Sequence, residues 1–143
     1  MMNIRSFLFD NKEKTVTIQA YIYSFYYRFI VKHTSTKKLE ERLGKRGEET
    51  PFEESREKIS MVKLYAFHIN RITQRLPWEE KCLVRAMTLR RFLIKKHIPC
   101  TIYLGVTTQE GKLEAHAWLR CGNLWASGGS GDGYTTVAKF ATY

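Results

Sequence analysis

Residues 81–127, KCLVRAMTLRRFLIKKHIPCTIYLGVTTQEGKLEAHAWLRCGNLWAS, change their hydrophobic period midway, and that change decides the fold. Up to His97 the pattern is helical. Cys82, Ala86, Leu89 and Leu93 share one apolar face, with Arg85, Arg91, Lys95 and Lys96 on the opposite side. Ile98-Pro99 marks the stop, because proline disfavours helical geometry in the residue before it. Beyond that point the residues alternate. Residues 101–107 are β-branched and apolar, and Gln109-Glu110-Gly111 reads as a turn. In residues 113–120, Leu113, Ala115, Ala117 and Leu119 face one way. Glu114, His116, Trp118 and Arg120 face the other. A tight turn at Cys121-Gly122-Asn123 then leads into an extended segment, residues 124–127. With Cys121-Gly122 as a two-residue loop, His116 lies opposite Ser127; with the turn shifted by one residue, it lies opposite Gly129. The stretch predicts a helix feeding an antiparallel sheet.

Working outward, the upstream half is helical. Ile18, Ile22, Phe25, Phe29 and Ile30 fall at roughly helical spacing within residues 16–31, although the many β-branched and aromatic residues leave a strand open. A short charged helix, residues 37–43, ends at Gly44. Residues 45–54 are polar and read as a loop. Residues 55–75 carry Ile59, Val62, Leu64, Tyr65, Phe67, Ile69 and Ile72, a long helix closed by Pro77. Downstream, residues 127–133 (SGGSGDG) form a glycine-rich loop, and residues 134–140 a short final strand or helix. The expected class is α+β. One domain spans residues 1–143, mainly helical over 1–76, with a helix packed on a small antiparallel sheet over 77–143.

Composition narrows the function classes. With 43% hydrophobic and 27% charged residues over 143 positions, the chain is ordinary folded material, which excludes a disordered tail or a fibrous repeat. Lys and Arg number 24 against 14 Asp and Glu, a net charge of +10. That favours acidic partners such as nucleic acid, anionic lipid or an acidic peptide without choosing among them, and a merely solvated basic face fits too. Three cysteines with no CxxC spacing make neither a disulfide framework nor a zinc pattern, so no metal is expected and a reducing, cytoplasmic compartment fits. Residues 15–27 carry no charge but are too few to span a membrane, and residues 1–10 lack a signal-peptide pattern.

Two residues carry candidate chemistry. Cys82 opens a helix, where unpaired N–H groups and the helix dipole stabilise a thiolate, the nucleophilic form; Lys81 adds a cation. A structural core cysteine is the bland alternative. His116 lies on a strand expected beside that helix and is able to deprotonate the thiol and protonate a leaving amine. A third group should orient the imidazole. Asp132, the one aspartate of the C-terminal half, is a candidate; so are Glu114, Ser127 Oγ and a backbone carbonyl. A non-catalytic basic binding module, built on Arg85, Arg90, Arg91, Lys95 and Lys96, is the alternative from another class.

The chain resembles the transglutaminase-like leader peptidases of lasso-peptide biosynthesis. The resemblance rests on Leu76-Pro77-Trp78, Cys82-Leu83-Val84-Arg85-Ala86, Leu89 and Leu93, and Ile98-Pro99. Downstream it continues through Leu104-Gly105-Val106, Ala115-His116-Ala117-Trp118-Leu119 and the Gly128-Gly129 to Tyr134 tail. It implies a papain/transglutaminase-like fold with Cys82 as nucleophile and His116 as base. It also implies a cysteine protease that cuts the leader from a precursor peptide without a cofactor, acting with a separate leader-recognition protein and an ATP-dependent lasso cyclase. Nucleic acid is not an implied partner. Transglutaminase-type acyl transfer uses the same residues. The family often carries aspartate twelve residues after the histidine; here that position is Gly128, so Asp132 is the aspartate left to take the role.

Overall fold

The computed structural model describes residues 14–73 and 81–143. Leu76-Pro77-Trp78, the Pro77 helix stop and residues 1–10 lie outside them. The first helix, α1 (Lys14–His33), settles the helix-or-strand ambiguity of residues 16–31 and buries Ala20, Tyr27 and Ile30. The next, α2 (Thr36–Glu41), starts at Ser35, whose hydroxyl accepts the Lys38 N–H at 3.4 Å. Helix α3 (Arg56–Thr73) starts in the same way, with Ser55 Oγ accepting the Lys58 N–H at 3.2 Å. Its buried residues Val62, Tyr65, Ala66, Ile69 and Ile72 recur at helical spacing.

Helix α4 (Lys81–Lys95) ends two residues before the expected limit at His97. His97 takes a left-handed φ of 56°. Its N–H donates to Ile94 O at 3.1 Å, and the Ile98 N–H donates to Leu93 O at 3.0 Å. These two bonds satisfy carbonyls that the helix end leaves open, and the buried Leu93 and Ile98 close the cap.

Five strands follow the order β1-β5-β2-β3-β4: β1 (Lys45–Arg46), β2 (Cys100–Gln109), β3 (Lys112–Cys121), β4 (Leu124–Ser127) and β5 (Thr135–Thr142). All neighbours are antiparallel. One expectation is corrected here and two open ones are decided. Residues 45–54 are not all loop, because Lys45 and Arg46 pair with Ala141 and Phe140 as a short charged edge strand. Residues 134–140, left open between strand and helix, belong to a strand, which crosses back to pair with β2 and gives a Greek-key order. Of the two turns left open, the hairpin loop is the shifted one, Gly122-Asn123, rather than Cys121-Gly122: Cys121 pairs with Leu124, and Gly122 supplies the left-handed φ of 56° that the turn needs.

The register assigns the two faces of the sheet. Cys100, Ile102, Leu119, Cys121 and Phe140 form one hydrophobic core with α1, α3 and α4, through Ala20, Ile30, Val62, Ile69, Val84, Leu89 and Leu93, and with Leu43 just after α2. Tyr103 opposite Trp118, and Thr101 opposite Arg120, lie on the other face. There Tyr103 and Trp118 stack with centroids 5.7 Å apart. The indole lies against Gly105 so closely that an added Cβ would sit 2.6 Å from its ring, so no larger residue fits at that position.

Arg120 is fully buried on this second face. Its Nε donates to Tyr103 Oη at 3.0 Å, Nη1 to Gly122 O at 2.6 Å and Pro51 O at 3.1 Å, and Nη2 to Thr50 O at 2.7 Å and Thr101 Oγ1 at 3.4 Å. The Phe52 ring covers the guanidinium at 3.6 Å, and Glu49 lies 3.9 Å away. Removing the cation strands several buried acceptors at once. Arg120→Met should therefore lower the unfolding free energy by about 3 kcal/mol, read from urea titration.

Glu49 also bonds Lys139 Nζ at 2.7 Å and Tyr103 Oη at 2.8 Å, and these bonds, Lys139 first, hold its carboxyl below the ordinary range. A carboxyl held low in the folded state stabilises at pH above its unfolded value, and that contribution disappears as pH falls through the folded value. Urea midpoints of wild type should fall more between about pH 7 and about pH 3 than those of Glu49→Gln.

Candidate active site

Cys82 is the second residue of α4, a helix that packs against β3. The helix buries Val84, Ala86, Met87, Leu89 and Leu93, whereas Cys82 at its start is half-buried. Among the first backbone N–H groups of a helix, which have no partner within it, a thiolate finds both hydrogen-bond donors and a favourable dipole. The Arg85 guanidinium is electrostatically coupled to the same sulfur: burial lowers its pKa, and a Cys82 thiolate opposes that shift.

The other two cysteines are set differently. Burial pushes the Cys100 thiol up to about 12 and the Cys121 thiol up to about 11. Both stay protonated at neutral pH, and Cys121 Sγ donates to Pro99 O at 3.3 Å.

His116 is the fifth residue of β3, opposite Gly105 of β2. Its ring is held on three sides. Tyr134 stacks on it with centroids 4.9 Å apart, and Trp118 lies at 5.9 Å. Nε2 lies 2.6 Å from the carbonyl oxygen of Gly128. A carbonyl only accepts, so Nε2 carries the hydrogen, and in the neutral ring Nδ1 is left as the basic nitrogen.

The orienting bond is therefore made by a backbone carbonyl, one of the alternatives the sequence left open. Asp132 and Glu114 are exposed. Ser127 is buried, pairs with Leu119 on the helix-facing side, and among the described residues its Oγ has no hydrogen-bond partner. Gly128 has φ of 74°, and a Cβ there would run into Ala117 O and Trp118. In this conformation position 128 has no room for a side chain. The backbone itself supplies the acceptor.

The structure brings together His116, Trp118, Tyr134 and the Gly128 carbonyl. Cys82 is not among them. Strand alternation puts the imidazole on the face away from α4, and among the described residues no hydrogen bond joins it to the Cys82 sulfur. Sequence reasoning missed Tyr134 as a ring contact, because the residue lies beyond a glycine loop whose path the pattern does not define. No group of three metal-ligating side chains occurs among the described residues. None of the helices described is long and apolar enough to cross a membrane.

Residues 25–140 match the family described as the transglutaminase-like superfamily. The chain belongs to the transglutaminase-like superfamily. The match runs from the middle of α1 to β5 and so includes Cys82 and His116. No curated protein and no solved structure matches the chain. Membership of the transglutaminase-like superfamily is compatible with a cysteine peptidase or an acyltransferase, and the α+β architecture agrees with it.

Thiol chemistry separates the three cysteines experimentally. Brief treatment of the native chain with iodoacetamide near pH 7.5 should add about one carbamidomethyl group per molecule. Peptide mapping should place it on Cys82, with Cys100 and Cys121 labelled only after unfolding.

Proposed function

We propose that this chain is a cysteine peptidase that removes the leader from a ribosomally made lasso-peptide precursor, with Cys82 as nucleophile and His116 as base. It would act in the cytoplasm, with a separate leader-recognition protein and an ATP-dependent lasso cyclase. The observation that carries the reading is the helix-start cysteine on α4, a helix that packs against β3, together with an imidazole on β3 oriented through Nε2, although that ring stands on the face away from α4. The Cys82-Leu83-Val84-Arg85-Ala86 and Ala115-His116-Ala117-Trp118-Leu119 motifs and the superfamily match support it.

In the proposed reaction His116 Nδ1 takes the thiol proton and the sulfur attacks the carbonyl at the leader–core junction. The Cys82 backbone N–H helps hold the oxyanion. A second donor from residues 76–80 would lie outside the described residues. The imidazolium then protonates the departing amine of the core peptide, and water, deprotonated by the same histidine, hydrolyses the thioester to free the leader carboxylate. No metal or nucleotide is required for this step. Catalysis requires the sulfur and Nδ1 to come within hydrogen-bond reach, which this arrangement, with the ring on the face of β3 away from α4, does not itself provide. Here Asp132 is at most a remote charge, and the Gly128 carbonyl holds the ring.

The test is incubation of the chain with a precursor peptide and its recognition protein, read by mass spectrometry. A shortened peptide means hydrolysis, whereas a cross-linked one means the acyl-transfer alternative. Cys82→Ala should abolish product while leaving the circular dichroism and urea midpoint unchanged. His116→Gln should lower kcat by at least about a hundredfold. Asp132→Asn should leave kcat within about threefold of wild type. Full activity of Cys82→Ala would end the proposal.

A further inference from the structure

A second surface lies away from Cys82. Between α1, α2 and α4 runs a groove of about 640 Å³ lined by Ile22, Tyr23, Tyr26, Tyr27, Glu41, Arg42, Arg90 and Arg91. Along its outer lip α1 exposes apolar residues: Ile18 is 45% exposed, Ile22 59% and Phe29 60%. With Tyr26 they fall at i, i+4, i+8 and i+11, one side of the helix over about three turns. Arg91 and Lys95 stand nine and thirteen residues beyond Cys82 on α4, about 14 and 20 Å along its axis. This surface is therefore separate from the cysteine.

Its charge is one-sided. Arg42 Nη1 reaches Tyr26 Oη at 3.5 Å, Lys95 Nζ reaches Tyr23 Oη at 2.5 Å, and Arg91 lies over the Tyr23 ring at 5.8 Å. These cations are arranged by phenols and rings. Among the described residues none of Arg42, Arg90, Arg91 and Lys95 has a carboxylate within ion-pair distance. Helix α1 has no acidic residue, and among the described residues Glu41 is the one carboxylate lining the groove.

We propose that this groove docks an acidic amphipathic helix from a partner protein, its apolar stripe on Ile18, Ile22 and Phe29 and its carboxylates on Arg42, Arg91 and Lys95. Charge complementarity selects that occupant. A second copy of this chain, at +10 and with an all-basic α1, would set like charges against each other. The three-turn apolar lip suits a helix laid in a groove better than a phosphodiester backbone, which offers no apolar face. Arg42, Arg90 and Arg91 line a concavity between helices, and Lys95 reaches it through the Tyr23 hydroxyl, whereas a lipid surface meets a convex helix face. The inference does not depend on peptide cleavage at Cys82.

The test uses the full chain and a fluorescein-labelled helix of about eighteen residues built from Glu, Leu and Ala with leucine on one face. Comparison probes are polyglutamate of equal length, single-stranded DNA and vesicles containing phosphatidylglycerol. Fluorescence anisotropy should show the acidic helix binding at least about tenfold more tightly than polyglutamate. Two variants, Arg42→Glu with Arg91→Glu, and Ile22→Ser with Phe29→Ser, should each weaken it by about tenfold with unchanged circular dichroism. These substitutions fall on exposed side chains. Equal binding of helix and polyglutamate overturns the proposal, as does a loss with only one variant or with neither. Tighter binding to DNA or vesicles than to the helix overturns it in favour of those partners.

Discussion

The fold depends on one buried cation. Arg120 lies at the far end of β3, with its guanidinium enclosed, and its five N–H groups match the acceptors around it. A charge removed from water is costly unless every donor is used. Here the acceptors come from β2, from the turn after β3 and from Thr50 and Pro51. Those last two belong to a segment that would otherwise have little reason to lie on a sheet. The cation thus converts a polar connection into a cover for the face that the helices do not reach.

That cover makes the sheet two-sided. One face closes on α1, α3 and α4 through aliphatic side chains. The other carries Tyr103, Trp118, His116 and Tyr134 in a run of aromatic contacts. The chain between β4 and β5 must cross this second face, because β5 returns to the far side of β2. In crossing, it brings the Gly128 carbonyl and the Tyr134 ring to His116. The Greek-key return is thus what builds the imidazole's surroundings, and the glycines of residues 127–133 allow a path close above the indole.

Much of this was legible in the sequence. The period change after His97 gave the helix and the three strands that follow, because apolar alternation has few other solutions. The faces of β3 were readable for the same reason, and with them the company of His116, Trp118 and Arg120. The order of the strands was not. Pairing of β5 with β2 is a long-range choice set by which edge is free, and no local signal at residues 134–140 states it. The use of Arg120 was equally hidden, since its acceptors are main-chain oxygens, which every residue possesses. The orienting group of His116 stayed open between Asp132, Glu114, Ser127 Oγ and a backbone carbonyl, because the pattern does not say which main-chain oxygen a glycine loop delivers. The membership in the transglutaminase-like superfamily rests on residues 25–140 as a whole, not on the two reactive side chains.

The Gly128 carbonyl has a further meaning. An amide oxygen has no proton to gain or lose in water, so the grip on the imidazole is indifferent to acidity, where a carboxylate would let go on protonation. The same neutrality gives the ring no counter-charge when it becomes imidazolium. This chain thus exchanges electrostatic help for a fixed posture, and no one-letter change at that left-handed glycine restores the missing anion without first rebuilding the backbone around it.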